Sequence, residues 1–384
     1  MHPSAGGPPV VADRFCRQLQ KLGNQCEIIS TDSYAPSDDE SWIADYEANY
    51  RLTILEGKGP QGFGYAPDLR RVLIERLPDV DIVHIHNLWS YFNIMGSRLC
   101  RKFNVPFVVS THGMLDPNSL ARKSWKKFLY SRMVEWRQLR NASGMIFTHQ
   151  EELELASKQC EGLPPGFVVP LASDTPPSED RSELAQEFLS KYPKFANKKL
   201  VLFLGRIHSK KGLDILIPAF AKVSQQINDV ELLFVGPVEA SYRRELEAMA
   251  QNCGAQDKCH FLGSFQGDLK WSVLAAADVF ALISYQENFA IALVEALRVG
   301  TPAVISRRIN IWKDLEKNET VLISELDEIA AAESLGRLLE SDNLRRRFGG
   351  NGKEFAASEF SWQRTAELLA NSYRKLIRFT NVDS

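Results

Sequence analysis

No apolar run in this chain approaches the ~20 residues that cross a bilayer. Its opening, Met1-His-Pro-Ser-Ala-Gly-Gly-Pro-Pro, lacks the apolar core of a secretory leader. Cysteine is sparse, six residues at 16, 26, 100, 160, 253 and 259, and no two form a C-x-x-C pair. That spacing argues against zinc ligands or a disulfide framework and for small core residues in a reducing compartment. Net charge is lacking too: 46 basic and 48 acidic residues leave −2, with an isoelectric point near 6.4. Nothing there suggests nucleic acid as a partner. The expectation is a cytoplasmic chain, and its 384 residues are enough for two ordinary domains.

What is present centres on Tyr285-Gln-Glu-Asn-Phe-Ala-Ile-Ala-Leu-Val-Glu295. The preceding run, Asp278 to Ser284, is almost wholly apolar and reads as a strand covered on both faces. A helix is expected from near Phe289 to Gly300, whose lack of a side chain suits a left-handed cap, and a strand from Ala303 to Ile305. Glu287 then lies at a strand's carboxyl end, where parallel sheets bind ligands. The amides of Asn288, Phe289 and Ala290 become helix N-terminal donors suited to an anion. The plainer reading makes Glu287 a partner of the helix dipole and Glu295 a solvated residue. Against it, Glu295 sits among Leu293, Val294, Ala296 and Leu297, and a buried acid needs partners. Two carboxylates beside an anion site are reconciled if they accept hydroxyls of the same ligand. That describes a nucleotide sugar, with sugar hydroxyls at Glu287 and ribose hydroxyls at Glu295.

A second motif opens the C-terminal half: strand-like Leu200 to Leu204, then Gly205-Arg206-Ile-His-Ser-Lys210-Lys211-Gly212, then a helix from Leu213. Arg206 and Lys211, with Lys210 in reserve, flank a strand-to-helix turn that Gly205 and Gly212 open to close approach. A guanidinium and an ammonium there suit a diphosphate.

With these elements the chain resembles, along nearly its whole length, the retaining glycosyltransferases of family four, and Glu287 and Glu295 match that family's E-x7-E element. The resemblance implies the α/β GT-B fold, two Rossmann-like parallel-sheet domains facing across a cleft. It implies that Glu287 contacts the donor sugar and Glu295 the ribose, and that His112, in Thr111-His-Gly-Met114, lies beside the sugar as a hydrogen-bonding residue. It further implies that Gly6 and Gly7 lie near the donor phosphates and that the main chain at Leu262 reads the base. The sequence departs from the family twice. Ala290 stands where glycine is usual, and the first strand that normally precedes the glycine loop is missing: either the true start lies upstream, or the N-terminal sheet lacks a usually central strand and has an open slot.

Two other motifs are decoys. Gly57-x-Gly59-x-x-Gly62 matches a dinucleotide fingerprint, but Pro67 is the natural first-turn residue of the following helix, too far from Gly62. Asp79-Val-Asp81 precedes its apolar strand instead of following it and reads as a helix-to-strand connection, so no essential metal is expected. His86 and Trp89 follow that strand and are candidates for acceptor contact; His84 reads as a core histidine. Residues 122–140 interleave Arg and Lys with Trp, Phe and Tyr, which fits either peripheral contact with an anionic membrane face or a helix packed on the sheet. The expected domains are 1–172, 173–360, and a final helix from 361 to 384 that crosses back to the first.

The implied reaction is transfer of a sugar from a nucleotide-diphosphate sugar to a saccharide or lipid-linked acceptor hydroxyl, with retention, in cell-surface or exported polysaccharide synthesis. No cofactor is expected. The alternatives are a catalytically impaired nucleotide-sugar-binding or scaffold protein of the same fold, and a sugar-nucleotide epimerase.

Overall fold

Short apolar runs bounded by glycine, proline and polar residues become the strands, and the longer amphipathic stretches become the helices between them. The structure is a computed structural model describing residues 7–33, 49–116 and 135–382. It divides into one unit of residues 1–171 with 362–384 and a second of 172–361.

The first unit carries β1 (Glu27–Thr31), β2 (Arg51–Leu55), β3 (Val83–His86), β4 (Phe107–Ser110), β5 (Gly144–Phe147) and β6 (Gly166–Val168). All ladders are parallel, and they form two sheets, β1-β2 and β3-β4-β5-β6. Among the described residues no strand joins β1 to β3, and the two sheets are not hydrogen-bonded to each other. The first described element is the helix Gly7–Lys21, with Pro8 and Pro9 in its first turn and Val11, Phe15 and Leu19 buried. The last helix, Trp362–Val382, belongs to this unit although it follows the whole of the other in sequence. Trp362 meets the Phe15 ring edge-on with centroids 6.3 Å apart, Thr365 Oγ1 donates to the Pro170 carbonyl at 2.8 Å, and Leu369 and Leu376 are buried.

The second unit contains β7 (Lys199–Leu204), β8 (Val230–Val235), β9 (Cys259–Gly263), β10 (Val279–Leu282), β11 (Ala303–Ser306) and β12 (Val321–Ser324). Their order is β12-β11-β10-β7-β8-β9, all parallel. The chain thus runs outward from β7 to β9, then returns to the other side of β7 at β10. That reversal sets the crevice of a doubly wound sheet between the carboxyl ends of β7 and β10. β10 and β11 are buried along their whole length, as their continuous apolar sequences require.

Neither decoy behaves as a cofactor motif. Lys58 bridges Tyr65 in antiparallel fashion across Gly59 and Gly62, and the following helix starts only at Leu69. A 3-10 turn over Leu77–Asp79 leads straight towards β3. No helix among the described residues is long and apolar enough to cross a membrane.

Candidate active site

From the end of β7 the chain turns through Gly205 and Arg206 to Lys211 and Gly212. A Cβ on Gly212 (φ +65) would lie 1.9 Å from the Ile283 carbonyl oxygen, so glycine lets this turn press against the end of β10. Gly205 (φ +143) instead faces open space, with no atom within 4 Å of the place a Cβ would occupy. The Tyr285 N–H donates to the Lys210 carbonyl at 2.9 Å and stitches the loop after β10 to the loop after β7. Across that seam Lys211 Nζ donates to Glu287 Oε2. Arg206 leaves the same turn exposed.

A third strand end holds Glu287 in place. Its N–H donates to the Arg308 carbonyl at 2.9 Å and its carbonyl accepts from Asn310 N–H at 3.1 Å. Asn310 Nδ2 donates to Asn288 Oδ1 at 3.0 Å. Phe289 is buried with its ring edge-on to Phe360, centroids 5.2 Å apart. The helix expected near Phe289 begins at Ile291, because Ala290 is left-handed (φ 63) and holds the N-cap position. The amides of Asn288, Phe289 and Ala290 therefore precede the first turn of the helix. That conformation also accounts for the glycine usual at position 290: alanine adopts it only at a cost.

Glu295 lies within the helix Ile291–Arg298, 7 % exposed. Its partner is neither Arg206 nor Lys211 but Lys270, whose Nζ donates to Glu295 Oε1 at 2.6 Å and rides 4.6 Å above the Trp271 ring centroid. Burial pushes the Glu295 carboxyl above its ordinary range, against the pull of Lys270. Lys270 was not anticipated; the one available signal was a lysine among Trp271, Val273 and Leu274, in a helix otherwise largely buried. Leu262 is half-buried on the edge strand β9.

In the first unit, β3 and β4 deliver two histidines to one place: His86 Nδ1 lies 3.0 Å from His112 Nε2, and the rings stack with centroids 5.2 Å apart. Burial lowers His112 to about 4 and His86 well below the usual imidazole value, so both are neutral at pH 7 and one donates to the other's lone pair. His84 continues the stack at 4.2 Å from His86, and its nitrogens lie 2.6 Å from the Tyr373 hydroxyl and 2.8 Å from the Ser110 hydroxyl. It is a satisfied core histidine, as expected. Asn87 (φ 70), Trp89 (φ 57) and His112 (φ 49) are all left-handed without being glycine, so backbone strain collects at these two strand ends. Trp89 is half-buried against the core of the unit. Gly7 starts its helix exposed, with open space around it. Gly6 and most of the 122–140 stretch lie outside the described residues; within its remainder, Arg137 and Arg140 are exposed on the short helix Trp136–Arg140.

Two family models match successive parts of the chain: "Glycosyl transferase 4-like domain" over residues 6–172 and "Glycosyl transferases group 1" over residues 185–355. The chain is a glycosyltransferase of family four. Among curated relatives this glycosyltransferase is 25 % identical to the MMP alpha-(1->4)-mannosyltransferase of Mycolicibacterium hassiacum, over 97 % of this chain and 95 % of that one. It is 27 % identical to the D-inositol 3-phosphate glycosyltransferase of Xylanimonas cellulosilytica, over 96 % and 91 %. In fold it is similar to sucrose-phosphate synthase of Thermosynechococcus elongatus, with a TM-score of 0.77, 23 % identity, and 97 % and 94 % of the two chains covered. It is also similar to Anabaena HepE, solved in complex with UDP and glucose, with a TM-score of 0.74, 18 % identity, and 96 % and 97 % covered. The family-four glycosyltransferase thus has the GT-B type of fold, with a Rossmann-like sheet in each unit.

Proposed function

We propose that this glycosyltransferase moves a sugar from a nucleoside-diphosphate sugar to an acceptor hydroxyl with retention of configuration, in the building of a cell-surface or exported saccharide. The observation that carries the reading is the contact of Lys211 with Glu287 at the crossover of β7 and β10. In the resting chain each neutralises the other. A diphosphate entering over the open face of Gly205 takes Lys211 and Arg206 as its cations. Glu287 is thereby released to accept sugar hydroxyls, and Glu295 accepts those of the ribose. As the sugar leaves, charge grows on the diphosphate, where the two cations stabilise it without a metal, and the departing phosphate takes the acceptor's proton. His112 hydrogen-bonds the sugar, the main chain at Leu262 reads the base, and the amides of Asn288, Phe289 and Ala290 face the phosphates with Gly6 and Gly7. His86 and Trp89 line the acceptor side, and the 122–140 stretch meets an anionic membrane face. The reading draws support from HepE, solved in complex with UDP and glucose, and from relatives named as a mannosyltransferase and as a glycosyltransferase of inositol 3-phosphate.

The test is incubation with a panel of uridine-, guanosine- and adenosine-diphosphate sugars, following release of nucleoside diphosphate and reading the product's anomeric configuration by NMR. One donor is expected to be consumed with retention, and Lys211→Ala or Glu287→Ala to slow it at least about 10²-fold. A second reading, a nucleotide-sugar binder without turnover, is favoured by the Ala290 methyl beside the phosphate path. Binding of a donor with no release in any case selects it, and failure to bind any member of the panel overturns both.

A further inference from the structure

Glu152 stands in the helix Gln150–Gln159, inside the run Gln150-Glu-Glu-Leu-Glu154, which in sequence looks like a solvated helix start. It is 4 % exposed, and its carboxylate is held by hydrogen-bond donors of the main chain and of hydroxyls. Both carboxyl oxygens are filled by donors from two strand-end loops. Oε1 accepts from Thr111 Oγ1 at 3.1 Å and from the Gly113 N–H at 2.7 Å. Oε2 accepts from the Thr148 N–H at 2.8 Å and from Thr148 Oγ1 at 2.8 Å. One oxygen therefore grips the residues on either side of His112, and the other anchors that grip to the chain leaving β5. The gripped loop carries two successive left-handed residues, His112 (φ 49) and Gly113 (φ 75). A short loop in this conformation relaxes unless its surroundings over-determine it, and here the carboxylate does so.

We infer that Glu152 is a positioning residue for sugar transfer: acting through Thr111 and Gly113, it holds the His112 imidazole at the angle that meets the donor sugar. The inference rests on the reading that His112 contacts that sugar. The chemistry demands a carboxylate. The Gly113 and Thr148 amides can only donate and lie on different oxygens, so the NH2 of a glutamine, whichever way it points, meets an N–H that it cannot satisfy. Aspartate keeps two accepting oxygens but is a methylene short, so it restores one loop at a time.

The experiment compares Glu152→Gln, Glu152→Asp and His112→Ala in the full chain, with circular dichroism and thermal melting to confirm folding and steady-state kinetics on the donor identified by the panel. Misplacing a group that acts in the transition state lowers kcat and kcat/KM together. The expected result for Glu152→Gln is a kcat lowered about 10²-fold with donor KM changed less than about threefold, and for Glu152→Asp a partial recovery. If the folded glutamine variant keeps wild-type kcat while His112→Ala is impaired, the positioning role is overturned. If His112→Ala itself keeps wild-type kcat, the reading of His112 fails instead. Should Glu152→Gln not fold, Thr111→Val removes one of the four hydrogen bonds and leaves the acid in place; its kcat is expected to fall about tenfold at unchanged KM, and an unchanged kcat also overturns the role.

Discussion

Lys211 and Glu287 are 76 positions apart in sequence, yet the ammonium of one donates to the carboxylate of the other where the sheet reverses its winding. Each side chain keeps about a fifth of its surface exposed, 21 % and 20 %. Such a pair contributes little to stability, roughly 0–1 kcal/mol, because solvent screens it and both long chains must be ordered. Its value lies in ligand exchange. Lys211→Ala and Glu287→Ala are expected to melt near the wild-type temperature while losing turnover, and the double variant to lose little more than the worse single one, since the residues act as a unit. Calorimetry alongside donor turnover decides; additive losses in turnover would sink the coupling.

The second pair behaves differently, because Glu295 is buried. Removing its partner in Lys270→Met strands a charge and is expected to cost about 3 kcal/mol at neutral pH, read by urea denaturation. The sign with pH follows from linkage. The Glu295 carboxyl titrates above its unfolded value of 4.5, so the folded chain binds the extra proton and stability falls as pH rises through that window. Without Lys270 the shift grows. The deficit of the variant is expected to shrink as pH is lowered from 7 towards 4.5; a deficit that widens on acidification would contradict the assignment.

Ala290 provides a test of backbone strain. With φ at 63 it sits where glycine is at ease, so Ala290→Gly is expected to gain up to about 1 kcal/mol in spite of glycine's greater freedom when unfolded. The β-branched Ala290→Val is expected to lose at least about 1 kcal/mol at the same position. If the methyl also crowds the phosphates, donor affinity of the glycine variant rises, as titration calorimetry would show.

The stacked histidines make the first unit sensitive to acid. Burial lowers His84 from 6.5 to about 3 and His112 to about 4, so the unfolded chain takes up protons first. Their contribution is full above pH 6.5 and is lost progressively below it, as pH falls towards 4. Denaturation midpoints are expected to drop across that window, and His84→Asn to flatten the drop; an unchanged slope in the variant would rule out His84 as a source.

Much of this architecture was legible from local pattern. The run before Tyr285, the break at Gly300 and the strand from Ala303 declare a buried βαβ unit, and β10, its helix and β11 fall there. The start of that helix was misplaced by two residues because nothing in an alanine announces a positive φ. Glu287 and Lys211 could be assigned to one groove from the sequence, since each follows a buried strand, but their direct contact could not. Lys270 and Glu152 could not be assigned at all. Lys270 reaches Glu295 between neighbouring helices, and Glu152 is one acid in an acid-rich first turn whose burial depends on loops about forty residues upstream. Periodicity reports which face of a helix is apolar, and it is silent about a polar side chain turned inward to tie loops together.

The helix Trp362–Val382 belongs to the unit that the chain began to build, although 190 residues of the other unit intervene. During vectorial synthesis the second unit therefore has its complete sequence before the first does, since Tyr373 and Leu376 emerge last to meet His84 and the space beside Gly144. The nascent first unit waits with that surface uncovered until the helix Trp362–Val382 has been made. A message truncated near codon 361 would thus yield a finished C-terminal lobe joined to an uncapped partner, a natural client for chaperones.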